Sequence, residues 1–254
     1  VRALLELGAD VSAKKHPSGR RLLAWAVDRG HEEVVKVLVA AGAELCSIEC
    51  VDAFIRLVKR VPSDYDDDRA SAMSMVGTLI DIGMNVNAMC TAGVHALTAA
   101  VANDDKAMTR LLLQKGADVN ALNADGYTAL MRAVNDKRKC LVRILLEGGA
   151  DVNARSDAGD TALMFAVETG NDVLVRMLID AGADVNALDN AGFTALMFDE
   201  CQDETKRILL DAGAIRYDEP RPALEYSGAD HPWTKRLKIV SISRCCTATS
   251  MKCV

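Results

Sequence analysis

A hexapeptide that recurs every 33 residues constrains the fold of this chain more than any other feature. Its sequence is Gly-Ala-Asp-Val-Asn-Ala in the best copies. The copies begin at Gly83, Gly116, Gly149 and Gly182, with shortened copies at Gly8, Gly42 and Gly213. A fixed period of this length is typical of a repeat array, in which each unit packs only on its neighbours. We therefore predict a quasi-one-dimensional solenoid.

One unit, residues 118–150, contains two short helical segments joined by polar turns. Asp125-Gly126 predicts a tight turn, and Thr128 can cap the helix that follows it. Small apolar residues then recur every three or four positions. The second segment, Cys140–Leu146, is more apolar and ends at Gly148-Gly149, because glycine is favoured just past a helix C-terminus. Two helices this short cannot enclose a core alone, so stacking of units must bury them.

The period, the Gly-Ala-Asp-Val-Asn ending and the Asp-Gly-x-Thr opening together resemble the ankyrin repeat family. The resemblance covers about residues 1–214. It implies an all-α solenoid of helix-turn-helix units with short β-turn fingers, six full repeats plus an N-terminal half repeat. The family's Thr-Pro-Leu-His is replaced here by Thr128-Ala129-Leu130-Met131 and its later copies. Loss of the proline and histidine predicts less rigid units in the same fold.

The repeat spacing predicts an ankyrin domain over 1–214 and a linker with a poorly ordered basic tail over 215–254. The predicted repeats are 1–10 (partial), 11–43, 44–84, 85–117, 118–150, 151–183 and 184–214. The repeat at 44–84 is longer than the others, which predicts an inserted, protruding acidic loop at 62–68. The repeat at 184–214 is short. It carries Thr205 and Lys206 where earlier units have apolar residues, as expected of a capping repeat.

Charge and composition exclude several classes of function. The net charge is −6 overall and −9 over residues 1–214, and an acidic body is a poor binder of nucleic acid. No stretch is long and apolar enough to predict a membrane span. Eight cysteines are scattered without metal-ligand spacing, which predicts reduced thiols in an intracellular protein. We expect a cytoplasmic location and a monomer. We expect no cofactor and no metal site.

No motif for catalysis is present, neither a phosphate-binding glycine loop nor a nucleophile or zinc-protease signature. The recurring Asp118, Asp151 and Asp184 are interpreted as turn-stabilising residues. The chain begins directly in a helical pattern without an initiator methionine, which is typical of a fragment. We therefore expect a protein that is not itself an enzyme. An alternative is a targeting or substrate-recruiting arm of a larger enzyme, and a third is a structural spacer.

The ankyrin resemblance implies that the fingers and the first helix of each unit line a concave groove. Aromatic and arginine side chains there would anchor a protein partner, and the acidic body favours a partner with a basic face. The candidate partner-binding residues are Trp25, Tyr127, Arg132, Asp160, Phe165, Phe193 and Phe198. For Phe165 and Phe198, packing between units is the competing interpretation.

Overall fold

The computed structural model describes residues 21–59, 66–198 and 203–215. Within these residues it contains eleven α-helices, one short 3-10 helix and no β-strand. The helices are α1 (Leu22–Asp28), α2 (Glu32–Ala40), α3 (Ile48–Lys59), α4 (Asp66–Asp81), α5 (Ala96–Ala102), α6 (Lys106–Gln114), α7 (Ala129–Asn135), α8 (Lys139–Glu147), α9 (Ala162–Glu168), α10 (Asp172–Asp180) and α11 (Asp203–Asp211), with the 3-10 helix at Ala195–Met197 before α11. The all-helical class predicted from the sequence is confirmed.

The helices form two layers. The odd-numbered helices α1 to α9 pack side by side, each pairing with the even-numbered helix that follows it, and the 3-10 helix packs on α9. Hairpin-like loops, here called fingers, lead into helices α5, α7 and α9 and into the 3-10 helix. We call the surface formed by the fingers and the odd-numbered helices the finger face, and the surface of the even-numbered helices and α11 the helix face.

The core fills the space between the layers and between neighbouring units. Helix α7 contributes small residues such as Ala129 and Ala133, whereas α8 contributes the larger Leu141 and Leu145, all of them fully buried. Small residues let the odd-numbered helices approach closely, and the leucines of the second layer supply most of the apolar area removed from water. Since each unit is too small to cover its own leucines, the stack is the smallest stable structure.

The predicted helix boundaries agree with the structure in the regular units. The Oγ1 atom of Thr128 accepts a hydrogen bond from the backbone N–H of Met131 at 3.2 Å, so the predicted cap is present. Helix α8 covers the predicted Cys140–Leu146 with one more residue at each end. Gly149 just beyond it has φ +84°, the left-handed conformation expected of a glycine at that position.

The recurring Asp-Val-Asn segment stabilises turns and joins neighbouring units. The carboxylate of Asp151 accepts a hydrogen bond from the backbone N–H of Asn153 at 2.9 Å, which confirms its role as a turn residue. The side chain of Asn153 then accepts from the N–H of Asp184 at 2.8 Å and donates to the carbonyl oxygen of Gly182 at 3.1 Å. The same pair of bonds links Asn186 to Gly213 and Ile215. Each asparagine therefore holds its unit to the next one.

The unit at 44–84 departs from the others in a way that differs from the sequence-based prediction. Helix α4 begins at Asp66, so residues 66–68 of the predicted loop at 62–68 are helical, while 62–65 lie outside the described residues. The unit also lacks a finger, because α3 begins at Ile48, directly after the turn at 45–47.

Helix α3 takes over the contacts that the missing finger would make. At two of the three junctions between regular fingers a backbone hydrogen bond joins them, as from the N–H of Ala124 to the carbonyl oxygen of Gly93 at 2.9 Å. The finger of unit 85–117 has no finger before it in unit 44–84 and contacts α3 there. The backbone N–H of Thr91 in this finger donates to the Asp52 carboxylate of α3 at 2.8 Å. The carboxylate thus replaces a backbone acceptor and keeps the stack continuous.

The last unit has a shortened first helix and a second helix that is only partly polar. Thr205 was expected on an outer polar surface, but it is fully buried and its hydroxyl donates to the carboxylate of Asp172 on α10. That expectation was wrong because the hydroxyl has a partner in the preceding unit. Lys206 is half-exposed at the position where Val175 is buried, as a cap requires. Residues 1–20 and 216–254, with the predicted half repeat and tail, lie outside the described residues, so the repeat count and domain boundaries stay predictions.

Candidate functional site

The seven candidate contact residues divide into accessible and buried groups. Arg132 is exposed on α7, and Trp25, Tyr127 and Phe193 are half-exposed on the finger face. The buried group comprises Asp160, Phe165 and Phe198, which are 1%, 8% and 5% exposed. The expectation that these three offer accessible contact surface was wrong. For the two phenylalanines the competing interpretation, packing between units, is the one that the burial supports.

Phe165 is buried by the finger of the preceding unit. Its ring lies edge-to-face against the ring of Tyr127, with the ring centres 5.5 Å apart. Tyr127 is the residue after the turn glycine in unit 118–150, and Phe165 lies on α9 of the following unit. Such a pair adds about 0.5–1.5 kcal/mol beyond its buried area. Tyr127 therefore both holds two units together and leaves part of its ring on the finger face.

Asp160 occupies the position of Tyr127 in the next finger but faces inward. The backbone N–H of Asp160 donates to the Oγ atom of Ser156 at 3.0 Å, and its carbonyl oxygen accepts from the N–H of Ser156 at 2.9 Å. In the other fingers Asn123 and Asp189 hold the same turn with side-chain oxygens. The Asp160 side chain lies beside Ser156 and is part of the internal bonding of its own finger.

Two of the three other accessible candidates, Arg132 and Trp25, contact neighbours on their own units. The Arg132 guanidinium forms an ion pair at 2.8 Å with Asp136, which lies one turn later at the C-terminus of α7. The Trp25 ring is flanked by the Arg29 guanidinium at 5.7 Å and by the His31 ring at 5.6 Å between ring centres. An exposed ion pair of this kind contributes little to stability, so Arg132 can exchange its partner at small cost.

Two exposed apolar residues of the fingers were missed by sequence reasoning. Met89 and Leu122 are 45% and 42% exposed. Both follow the recurring Asn-Ala pair, at a position occupied by Arg155 and Leu188 in the later units. A signal was available in the sequence, because this position varies from unit to unit while its neighbours are nearly constant. Variable side chains on an invariant frame are typical of a recognition surface.

The surroundings of Tyr127 are strongly acidic. Asp125 is exposed on the same turn, and Asp157 of the next finger packs its carboxylate against Gly126, where an added methyl group would lie 2.4 Å from Cγ. Burial raises the pKa of the Tyr127 phenol, and nearby negative charges raise it further; these belong to Asp160, Asp125, Glu168 and Asp157. Several carboxylates of units 118–150 and 151–183 thus surround the Tyr127 ring.

The described residues offer a shallow pocket but no cluster of metal ligands. No group of three or more possible metal ligands occurs in the part of the chain that the structure describes. A shallow pocket opens where unit 44–84 lacks its finger, and it is bordered by Arg21, Glu44, Cys46 and Ile48. Arg21 is bound there by Glu44 at 3.1 Å and forms an ordinary surface ion pair. Across the described ranges no helix is long and apolar enough to cross a bilayer.

Comparison with known proteins agrees with this architecture. The family model for ankyrin repeats in three copies matches residues 69–156 and 141–218, and the model for a single ankyrin repeat matches residues 18–52. Residues 53–68, between these matches, belong to the unit without a finger. A comparison with curated protein sequences gave no match.

Among solved structures, the ankyrin repeat domain of Bcl-3, described as a unique member of the IkappaB protein family, is similar to this chain. The two share 26% sequence identity with a TM-score of 0.68, and the match covers 83% of this chain and 89% of that one. Because the family models cover more than half of the sequence and the fold agrees, the chain belongs to the ankyrin repeat family.

Proposed function

We propose that this protein is a non-enzymatic scaffold that binds a protein partner through its finger face. Ankyrin repeat proteins are typically interaction modules without catalytic activity. One observation carries the proposal: side chains that vary between units lie accessible on consecutive fingers, whereas the residues around them are fixed by hydrogen bonds. Met89, Leu122, Tyr127 and Phe193 supply apolar and aromatic area, and Arg132 supplies a charged donor.

The proposal includes a partner with a basic face. The charge of −9 over residues 1–214 and the carboxylates around Tyr127 support it, because opposite charges on two surfaces speed association at low salt. A monomeric state and a cytoplasmic location remain predictions from the sequence. A monomer fits the proposal because it leaves the finger face free for a partner.

Truncation of the finger face is expected to abolish capture of the partner. The variant Tyr127→Ala with Phe193→Ala removes two aromatic side chains, and central aromatic anchors commonly contribute more than about 2 kcal/mol each. Since Tyr127 also packs on Phe165, a second variant, Met89→Ala with Leu122→Ala, removes only exposed side chains. Retention of partners from a lysate, quantified by mass spectrometry with wild-type protein as reference, measures the effect.

The matched control lies on the helix face, where Val173 is 48% exposed and Arg176 is exposed beside Glu204. The double variant Val173→Ala with Arg176→Ala is expected to retain the partners. Equal retention by both finger-face variants and wild type, or loss only in the helix-face variant, would contradict the proposal. Absence of any captured partner at low and high salt would favour the structural spacer.

A further inference from the structure

Two carboxylates without an ionic partner lie on adjoining turns of the finger face. Several carboxylates elsewhere are paired, as in Asp81 with Lys115 at 2.6 Å and Asp104 with Arg138 at 3.2 Å. Within the described residues, Asp125 and Asp157 form no ion pair, although both are exposed. The cation nearest in sequence, Arg155, donates instead to Asn190 at 3.2 Å. These two charges are therefore available to a ligand.

The two carboxylates lie on neighbouring fingers with the Tyr127 ring beside them. Asp125 belongs to the turn that precedes Tyr127, and the Asp157 carboxylate rests on Gly126 between them. Tyr127 is half-exposed, and its ring is held by the edge-to-face contact with Phe165, so it needs little ordering when a ligand binds. We call Asp125, Tyr127 and Asp157 the Tyr127 patch.

We infer that the Tyr127 patch binds an arginine side chain on a basic segment of the protein partner. The inference rests on the proposed function and specifies the chemistry of the partner. A planar guanidinium can stack on an aromatic ring while its N–H groups donate to carboxylates, and it is more weakly hydrated than an ammonium group. Arginine thus satisfies the aromatic and the acidic components together. Lysine offers one compact charge and satisfies mainly the acidic component.

The direction of the ligand follows from the order of the fingers. Backbone hydrogen bonds join the fingers at two of the three junctions, as between Asn190 and Ala158 at 3.0 Å. At the third junction the Asp157 side chain packs on Gly126, so the turns still lie side by side in a row. Exposed Leu122 lies in the same finger as Tyr127, and Met89 lies in the finger before it. A peptide segment that runs along this row from unit 85–117 towards unit 151–183 contacts Met89 and Leu122 before it reaches the Tyr127 patch. We therefore expect an arginine flanked by apolar residues.

The test uses the full chain and a fluorescently labelled peptide in which arginine alternates with leucine and glycine. Matched peptides carry lysine or glutamate in place of arginine, and binding is measured by fluorescence anisotropy. The variant Asp125→Asn with Asp157→Asn removes both charges while preserving side-chain shape. Its control, Glu147→Gln with Asp180→Asn, removes the same charge from exposed positions of the helix face. Tyr127→Leu removes the aromatic ring and keeps an apolar contact with Phe165.

The arginine peptide is expected to bind more tightly than the lysine peptide, and the glutamate peptide not to bind. The finger-face charge variant should raise Kd about tenfold, and the control should change it little. Tyr127→Leu should remove the preference for arginine over lysine. Equal weakening by the two charge variants would overturn the inference, because net charge alone would then explain binding, and so would failure of wild type to bind the arginine peptide. If these results fail while partner capture still depends on Met89 and Leu122, the proposed scaffold function stands without this inference.

Discussion

The substitution Phe54→Ala is expected to lower the free energy of unfolding by about 3–5 kcal/mol. Phe54 is the largest side chain of helix α3 and is 0% exposed. It lies in the unit without a finger, which depends on side-chain packing and on the Asp52 bond for its contact with the rest of the array. Removal of the ring leaves a cavity that the rigid stack cannot fill. Urea denaturation followed by circular dichroism measures the change.

The same substitution is expected to broaden or split the unfolding transition. In an array of repeats, weakening one interface uncouples the units on its two sides. Helices α1 and α2 would then unfold separately from the units that begin at residue 85. Leu122→Ala, at an exposed position, serves as the control and should change the midpoint little. A change below about 1 kcal/mol for Phe54→Ala would mean that this unit does not connect the two parts.

The substitution Gly93→Val is expected to be about as harmful, for two reasons that add. Gly93 has φ +70°, where a side chain costs about 1–2 kcal/mol and a β-branched one more. In addition, an added Cβ would lie 2.1 Å from the Cβ of Ala124 in the next finger. The fingers would have to separate, which breaks the hydrogen bond between them. We expect a loss of about 3–5 kcal/mol, measured by the same denaturation experiment.

The variant Gly149→Val separates the cost of the positive φ from the cost of the clash between fingers. Gly149 has φ +84°, but an added Cβ at that position meets open space. This variant should therefore lose only the conformational part, about 2 kcal/mol for a β-branched residue. If both valine variants unfolded at the same denaturant concentration, close approach of the fingers would contribute nothing to stability. The account of the fingers as a joined row would then be wrong.

Much of the fold could be predicted because the repeat places the same physical requirements at the same positions. The Thr128 cap and the left-handed Gly149 follow from local chemistry that is repeated at each unit. The unit at 44–84 could not be predicted in the same way. Its missing finger is compensated by Asp52, whose carboxylate binds Thr91 of the next unit in place of a backbone acceptor. A contact across 39 residues leaves no periodic signal in the sequence.

The candidate site was predicted less well than the fold because position in the repeat does not determine exposure. Tyr127 and Asp160 occupy equivalent positions, yet the larger side chain remains accessible and the small one is buried against Ser156. Whether the side chain at this position is exposed depends on the hydrogen bonds made by the residue four positions earlier, Asn123 or Ser156. The Asn123 side chain accepts from the backbone N–H groups of Asp125 and Tyr127. The Ser156 hydroxyl accepts from the N–H of Asp160 and also donates to the Asp160 carboxylate, which holds that side chain inside the finger. Exposure that is set by such pairs of residues cannot be predicted from one repeat position alone.

Hydrogen exchange of the chain in complex with a captured partner tests the central claim most directly. Mass spectrometry resolves the fingers, such as residues 89–95 and 122–128, from the second-layer helices α6, α8 and α10. Binding through the finger face predicts slowed exchange in the fingers of consecutive units, strongest around Tyr127, with unchanged exchange in the three helices. Slowed exchange confined to α6, α8 and α10, with the fingers unchanged, would contradict the account.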